Sequence, residues 1–190
     1  FNTLHQINIM LFAKEGGDSR ITDMVSMLSK LIRLSLDMND IKISVAKEWE
    51  YSLLYVELQK MKYDERLKVN CSIDDSASEC MCLPITIQPL VENAVQHGMR
   101  GSLTVDISVR RAQGKIIIEV SDNGVGITPE RLAQIRNWLN NQDEFRSKNL
   151  GLSNINSRYT LLYGDKYSIT IQSVPGERTT VKIEIPAENA

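Results

Sequence analysis

A change in the spacing of apolar residues near position 64 constrains the fold of this chain more than any other feature. Between residues 21 and 32 apolar side chains recur every three or four positions, which is the spacing of one face of an α-helix. From Leu67 to Ile73 they alternate with polar residues, as in a half-buried β-strand. The sequence therefore predicts a helical region over residues 1–64 and a second domain over residues 65–190.

The helical region is predicted to hold three helices. Gly16-Gly17 ends the first, and Asp18 or Ser19 can cap the second, so that the two form an antiparallel hairpin. A third helix is predicted from Val45 to about Lys62, with Ser44 as a candidate N-cap. This last helix would connect the two regions.

The second domain mixes strands and helices without a regular βαβ alternation. The predicted strands lie near residues 67–73, 103–109, 115–120, 169–171 and 181–185, and the predicted helices at 85–97, 129–140 and 152–162. This order predicts an α+β fold, namely a two-layer sandwich with helices on one face of a mixed sheet.

Charge and hydropathy narrow the possible partners. Lys and Arg number 22 against 24 Asp and Glu, giving a formal charge of −2, so the chain has no overall positive field for a nucleic acid. No apolar run reaches the roughly 18 residues that a membrane span needs. We therefore expect no nucleic-acid partner and a cytoplasmic character for this chain.

Polar residues are concentrated on one side of the predicted helix before Gly98. Asn93 and His97 are four positions apart and therefore neighbours, and Glu92 and Gln96 form the adjoining row. Amide and carboxylate oxygens are ligands that Mg²⁺ accepts, usually together with water and substrate phosphates. The alternative is an ordinary solvated helix face whose C-terminal histidine is favoured by the helix dipole.

A glycine loop follows the most hydrophobic strand, at Asp122-Asn123-Gly124-Val125-Gly126. Asn-Gly after a strand ordinarily indicates a hairpin. Here Thr128 can cap and Pro129 suits the first position of a helix, so strand, glycine loop and helix succeed one another, which is a common context for ligand binding. Gly124 and Gly126 allow close approach of the backbone, and Asp122 offers a fixed acceptor for an amine.

Two further segments carry weaker signals. A single glycine, Gly151, precedes an apolar-periodic helix whose first N–H groups could face an anion. Arg146 and Lys148 upstream could add charge, or could be ordinary solvated loop residues. Residues 175–181 by themselves indicate a hairpin turn entering the last strand.

Taken in order, these segments resemble the N, G1, G2 and final-strand boxes of the ATP-binding fold of histidine kinases, the GHKL or Bergerat type. The first third of the chain is similar to sensor histidine kinases of the LytS/YehU type, through residues 1–4, 31–33 and 57–63. In that family a dimerising helical hairpin carries a phosphoaccepting histidine in an Asn-Pro-His-Phe context. The adjacent domain transfers the γ-phosphoryl group of ATP to it.

The resemblance implies roles for the polar helix. Asn93 would hold Mg²⁺ through its amide oxygen, Glu92 would polarise the accepting imidazole as a general base, and His97 would approach the phosphates. Phosphoryl transfer asks a protein chiefly for positioning and charge neutralisation, which these side chains can supply. ATP and Mg²⁺ are the implied cofactors.

The resemblance also implies roles in the rest of the pocket. Asp122 would accept a hydrogen bond from the adenine amino group, and Thr180 would support that pocket. The pocket and its lid, roughly residues 140–150, would be shaped by Gly124, Gly126, Gly151 and Leu152.

The family also implies partners and a location. The parent protein would form a homodimer through the helical region, pass phosphate to a response regulator, and reach the membrane only through segments upstream of this chain. The Asn-Pro-His-Phe segment should lie just before Phe1, and His5 is in the wrong register to replace it, so this chain is not expected to phosphorylate itself. Asn149 and Arg178 replace usual glycines, which bears on nucleotide affinity rather than on fold.

Two alternatives remain at this level. A serine kinase of the anti-sigma type, or another ATPase on the same fold, would lack the helical region of residues 1–64. A non-catalytic dimerisation or scaffold module would keep the fold, with Asn149 and Arg178 marking loss of nucleotide use.

Overall fold

Two packed helices form the first part of the fold. The computed structural model of the chain describes residues 19–36, 40–140 and 150–189. Helix α1 spans Ser19–Leu36 and helix α2 spans Val45–Tyr63, and Met24 of α1 is buried against Leu58 of α2. The helix predicted at the N-terminus, most of the predicted lid, His5 and Asn149 lie outside the described residues.

The start of α2 agrees with the sequence. The Ser44 hydroxyl accepts a hydrogen bond from the Lys47 N–H at 3.3 Å, which confirms the predicted N-cap. The helix ends at Tyr63, a short 3₁₀ turn follows over Asp64–Arg66, and the first long strand begins at Leu67. Because α2 also packs against the second part of the fold, a domain boundary at residue 64 stays a prediction.

A five-stranded mixed sheet forms one layer of the second part. Its strands are β2 (Leu67–Ile73), β4 (Leu103–Ala112), β5 (Lys115–Asp122), β6 (Ser168–Val174) and β7 (Arg178–Pro186). They lie in the order β2-β4-β5-β7-β6, with β2 parallel to β4 and the other pairs antiparallel. A separate two-stranded sheet, which the sequence did not indicate, pairs β1 (Ile43–Ser44) with β3 (Met81–Cys82).

Helices cover one face of the large sheet and form the second layer. They are α3 (Asp75–Ser78), α4 (Ile87–Gly98), α5 (Pro129–Asn140) and α6 (Leu150–Tyr163). Strand β4 alternates buried apolar residues from Leu103 to Val109 with more exposed polar ones, so one face points to the core and the other to solvent. The predicted α+β sandwich with a mixed sheet is confirmed. Within the described residues, no helix combines the length and apolarity that a membrane crossing requires.

Candidate functional site

A cleft lies between α4 and the edge of the sheet where β5 ends and β7 begins. Its empty space is about 700 Å³ including the opening. Apolar residues from several elements form most of its wall: Leu90, Ala94, Val120, Ile127, Ile135, Leu152, Ile171 and Val181. Polar groups are few and come from Asn93, His97, Asp122 and Thr179.

Asp122 supplies the carboxylate of the cleft. It is the last residue of β5, and its side chain is only 7% exposed. Burial raises its pKa above the usual range for a carboxyl group, while the Gly124 N–H, which donates to Oδ1 at 2.9 Å, opposes that rise. A carboxylate can accept about four hydrogen bonds. Asp122 can therefore still accept from the amine of a ligand.

Close backbone contacts hold this loop against α4. A Cβ atom at Gly124 would lie 2.3 Å from the Gly98 Cα, and one at Gly98 would lie 2.8 Å from Asp122 Oδ1. Gly126 has a φ of +66°, and its Cβ would lie 2.3 Å from the carbonyl oxygen of Val174. Only glycine fits at these points, because the loop passes between the end of α4 and the β6–β7 turn.

Helix α4 presents two polar side chains to the cleft. Asn93 and His97 lie one turn apart and both line it, as their spacing predicts. Glu92 does not line the cleft. Its Oε1 accepts a hydrogen bond from Gln96 Nε2 at 2.7 Å on the neighbouring surface of the helix.

The pairing of β5 with β7 decides which threonine faces the cleft. Asp122 pairs with Thr179, so Thr179 lines the cleft beside the carboxylate. Thr180 pairs with Ser121, and their hydroxyl groups lie 2.8 Å apart on the other side of the sheet. The structure therefore places Thr179, and not the predicted Thr180, at the cleft, because the register of β7 on β5 could not be obtained from the sequence.

The start of α6 completes the wall. Leu152 is buried and lines the cleft, as predicted. Gly151 does not line it, but a Cβ there would lie 3.2 Å from Pro89 Cβ, so this glycine lets α6 pack closely against α4. Arg178 is exposed at the first position of β7. The structure thus brings together Asn93, His97, Asp122, Gly126 and Leu152.

Residues 83–189 of the chain match the family described as histidine kinase-, DNA gyrase B-, and HSP90-like ATPases. The match includes α4, the glycine loop and β7, which together form the cleft. The chain belongs to this ATPase family. A second match, to the histidine kinase family, covers residues 1–67.

Two curated relatives of the chain are named as sensor kinases. The chain is 31% identical over 192 residues to the sensor histidine kinase YesM of Bacillus subtilis, covering 100% of this chain and 31% of YesM. It is 30% identical over 188 residues to the sensor protein kinase HptS of Staphylococcus aureus, covering 98% of this chain and 35% of HptS. The chain thus spans about a third of the length of these two relatives.

Solved structures show the same fold. The catalytic domain of histidine kinase ThkA matches with a TM-score of 0.59 and 16% identity, over 77% of this chain and 95% of that one. The histidine kinase domain of the Erythrobacter litoralis blue-light activated kinase matches with a TM-score of 0.55 and 19% identity, over 96% of this chain and 85% of that one. Full-length ShkA in complex with AMPPNP matches with a TM-score of 0.58 and 16% identity, over 88% of this chain and 36% of that one.

Two neighbouring threonines of β7, Thr179 and Thr180, test its register on β5. We expect Thr179→Val to weaken nucleotide binding about threefold to tenfold, since one hydrogen-bonding group of the cleft is lost. Thr180→Val is a matched control, because each change removes one hydroxyl from a pair of close hydroxyl groups. The Thr179 hydroxyl lies 2.9 Å from that of Ser173, and the Thr180 hydroxyl lies 2.8 Å from that of Ser121. Calorimetric titration should give that control wild-type affinity. A larger loss of affinity in Thr180→Val than in Thr179→Val would contradict the location of the nucleotide in this cleft.

Proposed function

We propose that this chain is the ATP-binding catalytic region of a two-component sensor histidine kinase. In the proposed reaction the γ-phosphoryl group of ATP passes to a histidine upstream of this chain and then to a response regulator. The observation that carries the proposal is the cleft itself, with a buried carboxylate at one end and the amide of Asn93 on its helical wall. The relatives named as sensor kinases favour it over a scaffold or a serine kinase.

The apolar part of the cleft suits a purine. Its wall is made of aliphatic side chains such as Leu90, Ile135 and Ile171, against which a flat ring can pack. Asp122 would accept a hydrogen bond from the adenine amino group, with Thr179 beside it. A bound analogue of ATP is named in the structure of ShkA, which has the same fold.

The polar helix would serve the triphosphate. Asn93 would hold Mg²⁺ through its amide oxygen, and His97, one turn further along, would approach the phosphates. The ion, when bound, supplies positive charge that offsets the charge on the phosphate oxygens. The donor set fits such a site, because Mg²⁺ binds through one or two protein oxygens together with substrate phosphates and water.

Glu92 would act outside the cleft. Its carboxylate lies at the surface of α4, next to Gln96, rather than among the residues that line the cleft. A histidine that arrives from another part of the protein has to meet its general base at such an accessible position. Glu92 would therefore orient the accepting imidazole and take up its proton.

The wider arrangement is proposed from the relatives. The match of residues 1–67 to the histidine kinase family supports a dimer formed through the helical region. In the proposed parent protein, segments upstream of this chain attach it to the membrane and this chain is on the cytoplasmic side.

Transfer to histidine is tested in the parent protein, with the residues that precede Phe1. Incubated with Mg²⁺ and γ-labelled ATP, it should acquire label that is stable to alkali and lost in acid, as expected for phosphohistidine. Asn93→Ala should lower the rate of labelling at least about 100-fold, since a metal ligand is removed. Asn70→Ala, the same change at an exposed position of β2 that does not line the cleft, serves as the control and should leave the rate of labelling unchanged. Normal nucleotide binding without any label would contradict the kinase and favour a non-catalytic module.

A further inference from the structure

A carboxylate on α2 caps the helix that carries Asn93 and His97. Helix α4 has no side-chain cap from its own N-cap residue, Thr86, and no acidic residue in its first turn. Glu48 of α2 supplies both the missing side-chain cap and the missing negative charge. Its Oε1 accepts from the N–H groups of Thr86 at 2.7 Å and Ile87 at 2.8 Å. Its Oε2 accepts from the Ile85 N–H at 2.8 Å.

The backbone that Glu48 holds is strained. Ile85 has a φ of +56°, a conformation that β-branched residues avoid. Such geometry persists only where surrounding contacts impose it. The bond from the Ile85 N–H to Glu48 is one such contact. A residue of α2 therefore helps to set the backbone at the start of α4.

The same cluster reaches α6. The Thr86 hydroxyl donates to the carbonyl of Leu83 at 2.7 Å and lies 2.9 Å from the Tyr159 hydroxyl, which also accepts from the Leu83 N–H at 3.3 Å. Glu48 is 1% exposed, and Thr86 and Tyr159 are fully buried. One buried polar cluster thus joins α2 to α4 and α6, and both of those helices line the cleft through Asn93 and Leu152.

We propose that Glu48 is a positioning residue for the nucleotide site, which fixes the N-terminus of α4 and through this rigid helix the place of Asn93. This role rests on the proposed function. Glu48 also connects the helical region to the cleft, because α2 contacts α1 through Leu58 and contacts α4 through Glu48. A shift of α2 would then move the end of α4, without any contact between α2 and the ligand.

Protonation of Glu48 offers a way to test this role. Burial raises the pKa of Glu48 to about 6, opposed by its three backbone hydrogen bonds and by the charge of Arg158. The other titratable groups that face it are the Cys82 thiol and the Tyr159 hydroxyl, and burial raises the pKa of each. Both stay neutral near pH 6. Below that pH the carboxyl group gains a proton and loses part of its capacity to accept from three donors.

The test compares nucleotide affinity in the wild type and in Glu48→Gln. The glutamine keeps one acceptor oxygen but turns its NH₂ toward one of the three N–H groups. At pH 7.5 we expect the variant to bind Mg·ATP about 5- to 30-fold more weakly, the range that corresponds to loss of a helix cap. The ratio of the two affinities should approach one by pH 5, as Glu48 of the wild type becomes protonated. Because it compares the two proteins at each pH, this ratio cancels the titration of ATP.

Controls separate positioning from stability. Glu50→Gln makes the same change at an exposed site of α2 and should match the wild type at every pH. Val109→Ala destabilises the core away from the cleft and should leave affinity unchanged well below its melting temperature. A variant Glu48→Gln that binds like the wild type throughout would overturn the positioning role and leave the proposed function intact. A wild-type protein that binds no nucleotide would contradict the proposed function itself.

A second measurement needs no variant. In the nucleotide-free wild type, the amide resonances of Thr86 and Ile87 should titrate with a midpoint near pH 6, the pKa of Glu48. If α4 moves as a unit, the amide of Asn93 should follow with the same midpoint. Titration at Thr86 and Ile87 with no change at Asn93 would overturn the proposal even if the variant did not fold.

Discussion

Asp122→Ala is expected to lower the affinity for ATP at least about 100-fold while the circular dichroism spectrum stays unchanged. The variant loses a charged acceptor in a buried site, where hydrogen bonds to charged groups contribute about 1.5–3 kcal/mol and water cannot replace the lost partner. The fold should survive, because burial disfavours the charged carboxylate and, within the part of the chain that the structure describes, its hydrogen bond is a local one from the Gly124 N–H. Calorimetric titration with Mg·ATP measures the loss.

Asp106→Ala is the matched control for this change. Asp106 lies on the exposed face of β4, where its carboxylate accepts from Asn70 Nδ2 at 2.7 Å, and its loss should not affect affinity.

The preference for one nucleotide base over another gives a further readout. The wild type should prefer ATP to GTP, because guanine carries a carbonyl where adenine has the amine, and Asp122→Asn should reduce that preference. Normal ATP binding by Asp122→Ala would show that the adenine assignment is wrong.

Gly126→Ala is expected to lower the free energy of unfolding by about 3 kcal/mol or more. The left-handed φ of +66° costs an alanine about 1–2 kcal/mol, and overlap with the Val174 carbonyl and Pro175 Cα adds to it. Relief of the overlap requires the glycine loop to move away from the β6–β7 turn. Affinity for ATP should therefore fall as well, by at least about tenfold.

Gly176→Ala separates the cost of the left-handed φ from the cost of the overlap. Gly176 has a similar φ of +78°, but nothing lies within 4 Å of the position of its Cβ. Its replacement should cost only about 1–2 kcal/mol and leave affinity unchanged. Urea unfolding of both variants gives the difference. Equal costs would mean that the loop is free to move and that close packing at Gly126 is unimportant.

Much of the fold could be predicted because the long elements leave a hydrophobic pattern in the sequence. Strand β4 has ten residues, and its alternation is visible in the sequence. Strand β5 has eight residues and is visible as a nearly continuous apolar run, since it is buried on both faces at Ile116–Ile118. Strands β1 and β3 have two residues each, which is too short to show a period. Their pairing depends on chain segments that meet only in the folded molecule.

The candidate site was predictable where neighbours in sequence are neighbours in space. Asn93 and His97 share one helical face, and Asp122 and Gly126 share one loop, so both pairs could be found. Thr179 could not be distinguished from Thr180, because either threonine can face the cleft until the register of β7 on β5 is known.

Two other residues were missed for a similar reason. The sequence shows Gly98 only as the residue after a predicted helix, whereas its contact with Gly124 brings the Asp122 loop against α4. Glu48 is one of several acidic residues on α2, and its burial depends on where the chain before α4 passes. Neither contact leaves a pattern in the sequence, because each joins segments far apart along the chain.

A crystal structure of this chain with Mg·AMPPNP would show directly whether the cleft binds nucleotide. We expect the adenine amine within hydrogen-bond distance of the Asp122 carboxylate, and Mg²⁺ bound to the amide oxygen of Asn93 and to the phosphates. A nucleotide bound elsewhere, or a cleft closed by the protein's own side chains at saturating nucleotide, would contradict it.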